Sequence, residues 1–172
     1  MTETPRVRTL VLDVGDWQGH RAGQHVDVRL TSEDGYQAER SYSLASAPGD
    51  PVAITVERLD DGEVSPYLVD EVIPGDRFEL RGPIGGYFVW DADAGSEPLF
   101  MVAGGSGVVP FRAMLRHRAA TKSTVPAKLL LSSRMDRLGD LDLASQDVLV
   151  EVIRELEKQL WMLRVSLPAG AP

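Results

Sequence analysis

Hydrophobic residues occupy every second position in several runs of the first half of the chain, at 26–30, 52–56 and 78–80. A period of two is typical of a strand that buries one face and exposes the other. Turn-forming Gly, Pro and Asp residues separate these runs. Short strands at this spacing predict a small antiparallel β-barrel.

One helix is expected within this β-rich half, and it begins at Ser65 and Pro66. Serine is favoured at the N-cap because its hydroxyl accepts a backbone hydrogen bond, and proline suits the first helical position. The prediction is therefore that the Ser65 side chain caps this helix.

The pattern changes after the polar segment 91–98, which is typical of a linker. Residues 99–103 form a short continuous apolar run, as expected of a buried parallel strand. Further apolar periodicity predicts four more elements. They are a helix at 109–120, a strand at 127–133, a second helix at 145–159 and a third strand at 161–167. The second half therefore predicts a βαβ arrangement.

Composition narrows the class of protein. The 172 residues are 43% hydrophobic and 26% charged, which is typical of a soluble globular protein. A net charge of -8 argues against a nucleic-acid surface, because phosphate binding needs clustered cations. No apolar run reaches the roughly 18 residues of a membrane span, and the N-terminus lacks a signal-peptide pattern. We expect a cytoplasmic protein that binds neither nucleic acid nor membrane.

Cysteine is absent from the sequence. This chain therefore contains no disulfide, no thiolate nucleophile and no cysteine-held iron–sulfur cluster. Its three histidines, His20, His25 and His117, lack the spacing of metal ligands. No metal site is predicted.

Three motifs follow one another along the chain. Arg-Ser-Tyr-Ser stands at 40–43, Gly-Pro-Ile-Gly-Gly-Tyr-Phe at 82–88, and Ala-Gly-Gly-Ser-Gly-Val-Val-Pro-Phe at 103–111. In this order they resemble the ferredoxin–NADP reductase family of flavin-dependent oxidoreductases. The resemblance implies a six-stranded antiparallel FAD-binding barrel at residues 1–92 and a partial βαβ dinucleotide-binding domain at 98–168. It assigns no chemistry to the second motif, which would shape the barrel exit.

The first motif carries the expected flavin contacts. On an extended strand Arg40 and Tyr42 share one face, while Ser41 and Ser43 share the other. The resemblance implies that Arg40 pairs with the flavin pyrophosphate, whose charge suits a guanidinium fork. It implies that Tyr42 lies against the isoalloxazine ring and that Ser43 bonds near its reactive nitrogen. Tyr42 and Ser43 are therefore the catalytic candidates. By itself, the motif also fits a barrel strand with a surface arginine and a packed tyrosine.

A second group of flavin contacts follows from the resemblance, at Val56, Glu57, Arg58, Gly62, Val64 and Ser65. The amides in the first turn of a helix form a natural anion site. A capped loop without a ligand explains this segment locally as well as a phosphate site does. With the order of the motifs, we expect FAD here in preference to FMN.

The glycine-rich turn follows an apolar strand and opens a helix. Glycines allow a tight turn and a close approach of the backbone to a pyrophosphate. The sequence is the reductase-family variant, not the Gly-x-Gly-x-x-Gly fingerprint, and a plain strand–helix connection is the alternative. The resemblance implies dinucleotide contacts from Gly104, Gly105, Ser106, Gly107, Val109 and Pro110.

Ser133 and Arg134 close the next predicted strand. Ligands bind beyond the carboxyl ends of strands in α/β sheets. Relatives that prefer NADP place a serine and an arginine here for the adenosine 2′-phosphate, so NADP is favoured over NAD, although relatives with this pair use both.

The resemblance fades after residue 134. The family's dinucleotide domain carries further strands, one of which ends in Cys-Gly-Pro, and this sequence has no cysteine. We therefore expect a chain that is truncated or altered within this domain, or that completes its sheet with a partner. An unpaired sheet edge would favour association.

The resemblance implies a flavin-dependent NAD(P)H oxidoreductase. Such a protein passes hydride from NAD(P)H to FAD and electrons to a separate acceptor, a ferredoxin or an iron–sulfur or haem oxygenase component. Two alternatives stay open. One is a flavin-binding electron-transfer or interaction module without nicotinamide turnover, and the other is a decayed chain that binds nothing.

Overall fold

A computed structural model describes residues 1–132 of the chain. Most of its regular structure is β-strand, followed by one α-helix and a final strand. The strands are β1 Thr2–Thr4, β2 Val7–Val11, β3 His25–Thr31, β4 Gln37–Ser43, β5 Ala53–Glu57, β6 Glu79–Ile84, β7 Leu99–Gly104 and β8 Ala127–Ser132. The α-helix is α1, Val109–Ala120; a π-helical turn spans Tyr67–Glu71, and a 3-10 turn spans Gly105–Val108.

The first six strands form two three-stranded antiparallel sheets. In one, β2 lies between β1 and β5; in the other, β3 lies between β4 and β6. An isolated antiparallel bridge between Leu44 and Ile54 joins the end of β4 to β5. The antiparallel β architecture is thus confirmed, whereas closure into a six-stranded barrel stays a prediction.

The alternating hydrophobic positions fill one core. Val26 and Val28 of β3 and Ile54 and Val56 of β5 are fully buried, as the period of two predicts. Burying such a side chain stabilises the fold by about 1.5–3 kcal/mol relative to leaving it exposed. The cluster comprises Leu10, Val26, Val28, Ala38, Leu44, Val52, Ile54, Val56, Val64, Leu68 and Val72.

The short helix after β5 differs from the prediction in its cap. Pro66, not Ser65, holds the N-cap position, and no side chain caps the turn. The buried Ser65 hydroxyl instead accepts a hydrogen bond from the Leu59 amide at 3.0 Å. The loop amide needs this partner, because an unpaired polar group next to the core is costly. The capping prediction is therefore wrong.

The second predicted arrangement, βαβ, is present as β7, α1 and β8, with β7 and β8 paired. The helix has the bounds that its periodicity predicted, and it buries Val109, Pro110, Ala113 and Met114. The predicted helix at 145–159 and strand at 161–167 lie outside the described residues.

Helix α1 packs directly on the first half of the chain. Ala22 forms a small core with Ala113 and Met114, and the rings of Phe88 and Phe111 lie 5.5 Å apart. Gly23 permits this approach, because a Cβ there would lie 2.6 Å from Met114 Cε of α1 and 2.1 Å from the carbonyl oxygen of Phe88, whose ring meets Phe111. Residues 1–131 form one compact unit, and the division at 92 and 98 stays a prediction.

Candidate functional site

A cavity of about 350 Å³ lies where three separate segments of the chain meet. Strand β4 supplies one wall, β5 with the loop that follows supplies the second, and the turn before α1 supplies the third. We call it the β4–β5 cavity. It is lined by Arg40, Ser41, Tyr42, Ser43, Thr55, Glu57, Leu59, Gly62, Glu63, Val64, Ser65, Ser106, Gly107 and Val109.

Tyr42 joins this cavity to the protein core. It pairs with Val26 in the register of β3 and β4, and its half-buried ring packs against the core cluster. Burial raises the pKa of the Tyr42 phenol, and the nearby Arg40 charge opposes that rise. The phenol is therefore neutral at physiological pH and offers the cavity an uncharged aromatic surface.

Arg40 brings a positive charge to the cavity lining. Its Nη1 donates to the Glu39 carbonyl oxygen at 2.7 Å, and its Nη2 pairs with Glu63 Oε2 at 3.1 Å. The side chain remains 54% exposed. A guanidinium that is this accessible can still meet an anionic ligand, in competition with Glu63.

The two serines of the first motif have different surroundings. Ser41 donates to Asp27 Oδ1 at 2.5 Å. For the half-buried Ser43 hydroxyl, no hydrogen-bond partner is found among residues 1–132. Ser43 is thus available to a ligand within the described part of the chain, and its contact with the flavin stays a prediction.

The loop from Leu59 to Ser65 is held by its own hydrogen bonds. The Gly62 amide donates to the Leu59 carbonyl at 3.1 Å, and the Ser65 hydroxyl accepts from the Leu59 amide at 3.0 Å. Because the hydroxyl oxygen is the acceptor there, its proton is still free to be donated to an anion. Ser65 thus both shapes the loop and faces the cavity.

Two predicted contacts, Val56 on β5 and Arg58 directly after it, face elsewhere. The Val56 side chain is fully buried in the core. Arg58 bonds Asp70 at 2.8 Å and also pairs with Asp60, and its bond to Asp70 raises the pKa of the guanidinium. Neither side chain lines the cavity, because alternation along the strand turns Thr55 and Glu57 towards it instead.

The second half of the glycine-rich turn lines the cavity. Ser106, Gly107 and Val109 line the cavity, whereas Gly104 and Gly105 do not. Gly105 has φ +52°, a left-handed conformation that favours glycine. Pro110 is buried in the first turn of α1. Ser133 and Arg134 lie outside the described residues.

Four lining residues were not predicted from the sequence: Ser41, Thr55, Leu59 and Glu63. The period of two on β5 could have placed Thr55 on the same face as Glu57. The pairing of Glu63 with Arg40 links residues 23 positions apart, and no local pattern indicates it. Within residues 1–132 no cluster of His, Asp and Glu could hold a metal ion, and no helix of this part could cross a membrane.

Two curated relatives are similar to this chain in sequence. The glycine betaine monooxygenase reductase subunit of Chromohalobacter salexigens is 35% identical over 119 residues, 68% of this chain and 32% of that protein. The NADH oxidoreductase HCR of Escherichia coli is 33% identical over 136 residues, 77% of this chain and 40% of that protein. The chain thus spans well under half the length of either relative.

A solved structure shares the fold. The flavohem-like FAD/NAD-binding domain of nitric oxide dioxygenase from Vibrio cholerae matches with a TM-score of 0.62 and 27% identity, over 83% of this chain and 65% of that one. Residues 4–89 match the oxidoreductase FAD-binding domain family. The ferredoxin reductase-like resemblance is confirmed, and the chain belongs to the oxidoreductase FAD-binding domain family.

Proposed function

We propose that residues 1–132 bind FAD in the β4–β5 cavity, and that the protein is a reductase that takes electrons from NAD(P)H and delivers them to a separate acceptor. The observation that carries this proposal is that three separately predicted segments line one cavity. They are residues 40–43, 62–65 and 106–107. A volume of about 350 Å³ is within the range of small-molecule sites, roughly 300–1,000 Å³.

The lining fits a flavin at both of its chemically distinct ends. For the phosphate end, Arg40 supplies a cation and Ser65 a hydroxyl donor. For the ring end, Tyr42 supplies a neutral aromatic wall and Ser43 a hydroxyl without a protein partner in the described part of the chain. When bound, the flavin supplies hydride acceptance and single-electron release. The protein's part is to hold the ring, orient it and exclude water.

The turn before α1 is the proposed entry point for the nicotinamide dinucleotide. Ser106 and Gly107 lie at the start of a helix of 12 residues, where backbone amides and the helix dipole favour a pyrophosphate. We propose NADP in preference to NAD, and this preference depends on Arg134.

The proposed acceptor is a separate iron–sulfur or haem protein. Support comes from the relatives' names, one of which is a reductase subunit of a monooxygenase. We further propose that the two three-stranded sheets close into the six-stranded barrel, because the bridge between Leu44 and Ile54 already joins them along one side.

Anaerobic reduction of the FAD-loaded protein tests this function. Addition of NADPH should bleach the visible absorbance of the oxidised flavin, and NADH should act more slowly. Yellow protein that neither nucleotide bleaches would support the binding-module alternative and overturn the reductase. Protein that retains no FAD would overturn both.

A further inference from the structure

A second cavity, of about 570 Å³, is lined by residues of α1, of β8 and of the sheet that β1, β2 and β5 form. We call it the α1 cavity. Its volume is within the range of small-molecule sites, roughly 300–1,000 Å³. Thr55 and Val109 line both this cavity and the β4–β5 cavity, so these two residues belong to the wall between them.

Most of the lining of the α1 cavity is aliphatic. The residues concerned are Val108, Val109, Leu115, Ala119 and Leu129. None of the aromatic side chains in residues 1–132 is among the lining residues. Aliphatic walls favour a hydrocarbon chain, because they bury apolar surface without offering the flat face on which a ring would stack.

Arg112 brings a positive charge into this apolar lining. Its side chain is half-buried, and its guanidinium has no hydrogen-bond acceptor and no ion-pair partner among residues 1–132. Arg116, one helical turn further on, also lines the cavity but is already paired with Asp50 at 2.9 Å. A guanidinium that is partly withdrawn from water favours an anionic partner. Arg112 is therefore the group of this lining that can bind one.

Glu3 limits how much negative charge the cavity accepts. It lines the sheet side, where its Oε1 accepts a hydrogen bond from the Thr9 hydroxyl at 2.9 Å. Its carboxylate repels an anion that Arg112 attracts, and the repulsion grows with the charge of that anion. A carboxylate carries one negative charge, whereas a phosphate monoester carries about -1.5 to -2 near pH 7. The lining therefore favours a monocarboxylate.

We propose that the α1 cavity binds an amphipathic monocarboxylate of the fatty-acid class. The carboxylate pairs with Arg112, and the hydrocarbon chain lies along Val108, Leu115 and Leu129. This site is additional to the proposed flavin site, because Arg112 lines the α1 cavity and does not line the β4–β5 cavity.

Arg112→Gln tests the inference with two ligands that differ in their head group. Decanoate, below its micelle concentration, and decan-1-ol would each be titrated calorimetrically into the full chain at pH 7.5. The substitution should weaken decanoate binding about tenfold, as the loss of a charge-assisted hydrogen bond does. Decan-1-ol carries no charge, so its affinity should stay within about twofold of that for the parent. Retained binding of decan-1-ol also shows that the cavity is intact in the variant.

Lys128→Gln is the matched control for charge. Lys128 is exposed beside Leu129 on β8, does not line the cavity, and its replacement removes one positive charge as Arg112→Gln does. It should leave both affinities unchanged. Ala119→Trp is the control for the cavity itself. Ala119 is exposed on α1, and a large ring there should fill the cavity and weaken the binding of both ligands.

Three results would overturn the inference. One is a parent chain that binds no decanoate, and another is an equal loss of decanoate affinity in Arg112→Gln and Lys128→Gln. The third is unchanged binding in Ala119→Trp, or competition between decanoate and FAD, because either would place the ligand in a different cavity. The proposed flavin function is tested separately, since Arg112→Gln should bind FAD as the parent does, and decanoate binding does not depend on FAD.

Discussion

The side chains of Arg40 and Tyr42 project from the same strand and line the same cavity, but different contacts hold them in place. Tyr42 is anchored by packing against the core, whereas the exposed Arg40 is held by one carboxylate and one carbonyl. Exposed ion pairs contribute little stability, about 0–1 kcal/mol. Arg40 can therefore be replaced without loss of the fold, which makes it the cleanest probe of phosphate binding.

Arg40→Ala should weaken FAD binding by roughly tenfold or more, since a charge-assisted hydrogen bond is worth about 1.5–3 kcal/mol. Fluorescence titration measures the change. Arg6→Ala is the matched control, because Arg6 has the same 54% exposure and one ion pair, with Asp60, away from the cavity lining. Equal FAD affinity in Arg40→Ala and Arg6→Ala would remove the phosphate role from Arg40.

Tyr42→Ala should alter the absorption envelope of bound flavin more than Ser65→Ala does. The aromatic ring is expected beside the isoalloxazine, and Ser65 beside the phosphate. Spectra would be recorded at full flavin occupancy. A spectrum of Tyr42→Ala that matches the parent would place the flavin ring elsewhere.

Ser65→Ala should instead lower the free energy of unfolding. The substitution leaves the Leu59 amide of this part-buried bond without its acceptor, and an unsatisfied donor costs up to about 1–3 kcal/mol where water cannot replace the partner. Chemical denaturation of the cofactor-free protein measures this loss. Ser41→Ala provides the comparison, because Ser41 is exposed and its hydroxyl bonds Asp27 alone among the described residues. A free energy of unfolding equal to that of Ser41→Ala would contradict the structural role of Ser65.

At the scale of elements, local pattern predicted the structure wherever burial alone decides it. The bounds of α1 and the buried faces of β3 and β5 follow from apolar periodicity. Strand β1 was not predicted, because its three residues are exposed and it is strand only by pairing with β2. The same holds at the site. The motif residues were visible in the sequence, but the Ser65 bond to Leu59 and the Glu63 pair with Arg40 depend on tertiary placement.

The contact between α1 and the first half of the chain gives a test at this scale. Gly23→Ala should destabilise the protein by about 1–3 kcal/mol more than Gly35→Ala. Both glycines have positive φ, +103° and +86°, but only at Gly23 would the new Cβ meet other atoms, the Phe88 carbonyl and Met114 Cε. Both variants therefore introduce backbone strain, but only Gly23→Ala also overpacks its surroundings. Equal losses in thermal or chemical unfolding would contradict the close packing of Gly23 against Phe88 and Met114.

At the scale of the whole molecule, the β sheets and the βαβ unit have separate parts in the proposed chemistry. The sheets carry the residues expected to hold the flavin, and the turn before α1 adds the third wall of the same cavity. The nicotinamide must be aligned with the flavin before hydride can pass, and misplacement by about 1 Å costs about a hundredfold in rate. FAD binding can therefore be measured separately from FAD reduction by the nicotinamide, and binding is the step to test first.

Titration of the purified full chain with FAD, with Arg40→Ala measured in parallel, tests the flavin assignment most directly. Saturable binding of one FAD per chain is predicted, weakened by roughly tenfold or more in the variant. Failure of the parent to bind FAD, or binding that Arg40→Ala leaves unchanged, would contradict a flavin site in the β4–β5 cavity.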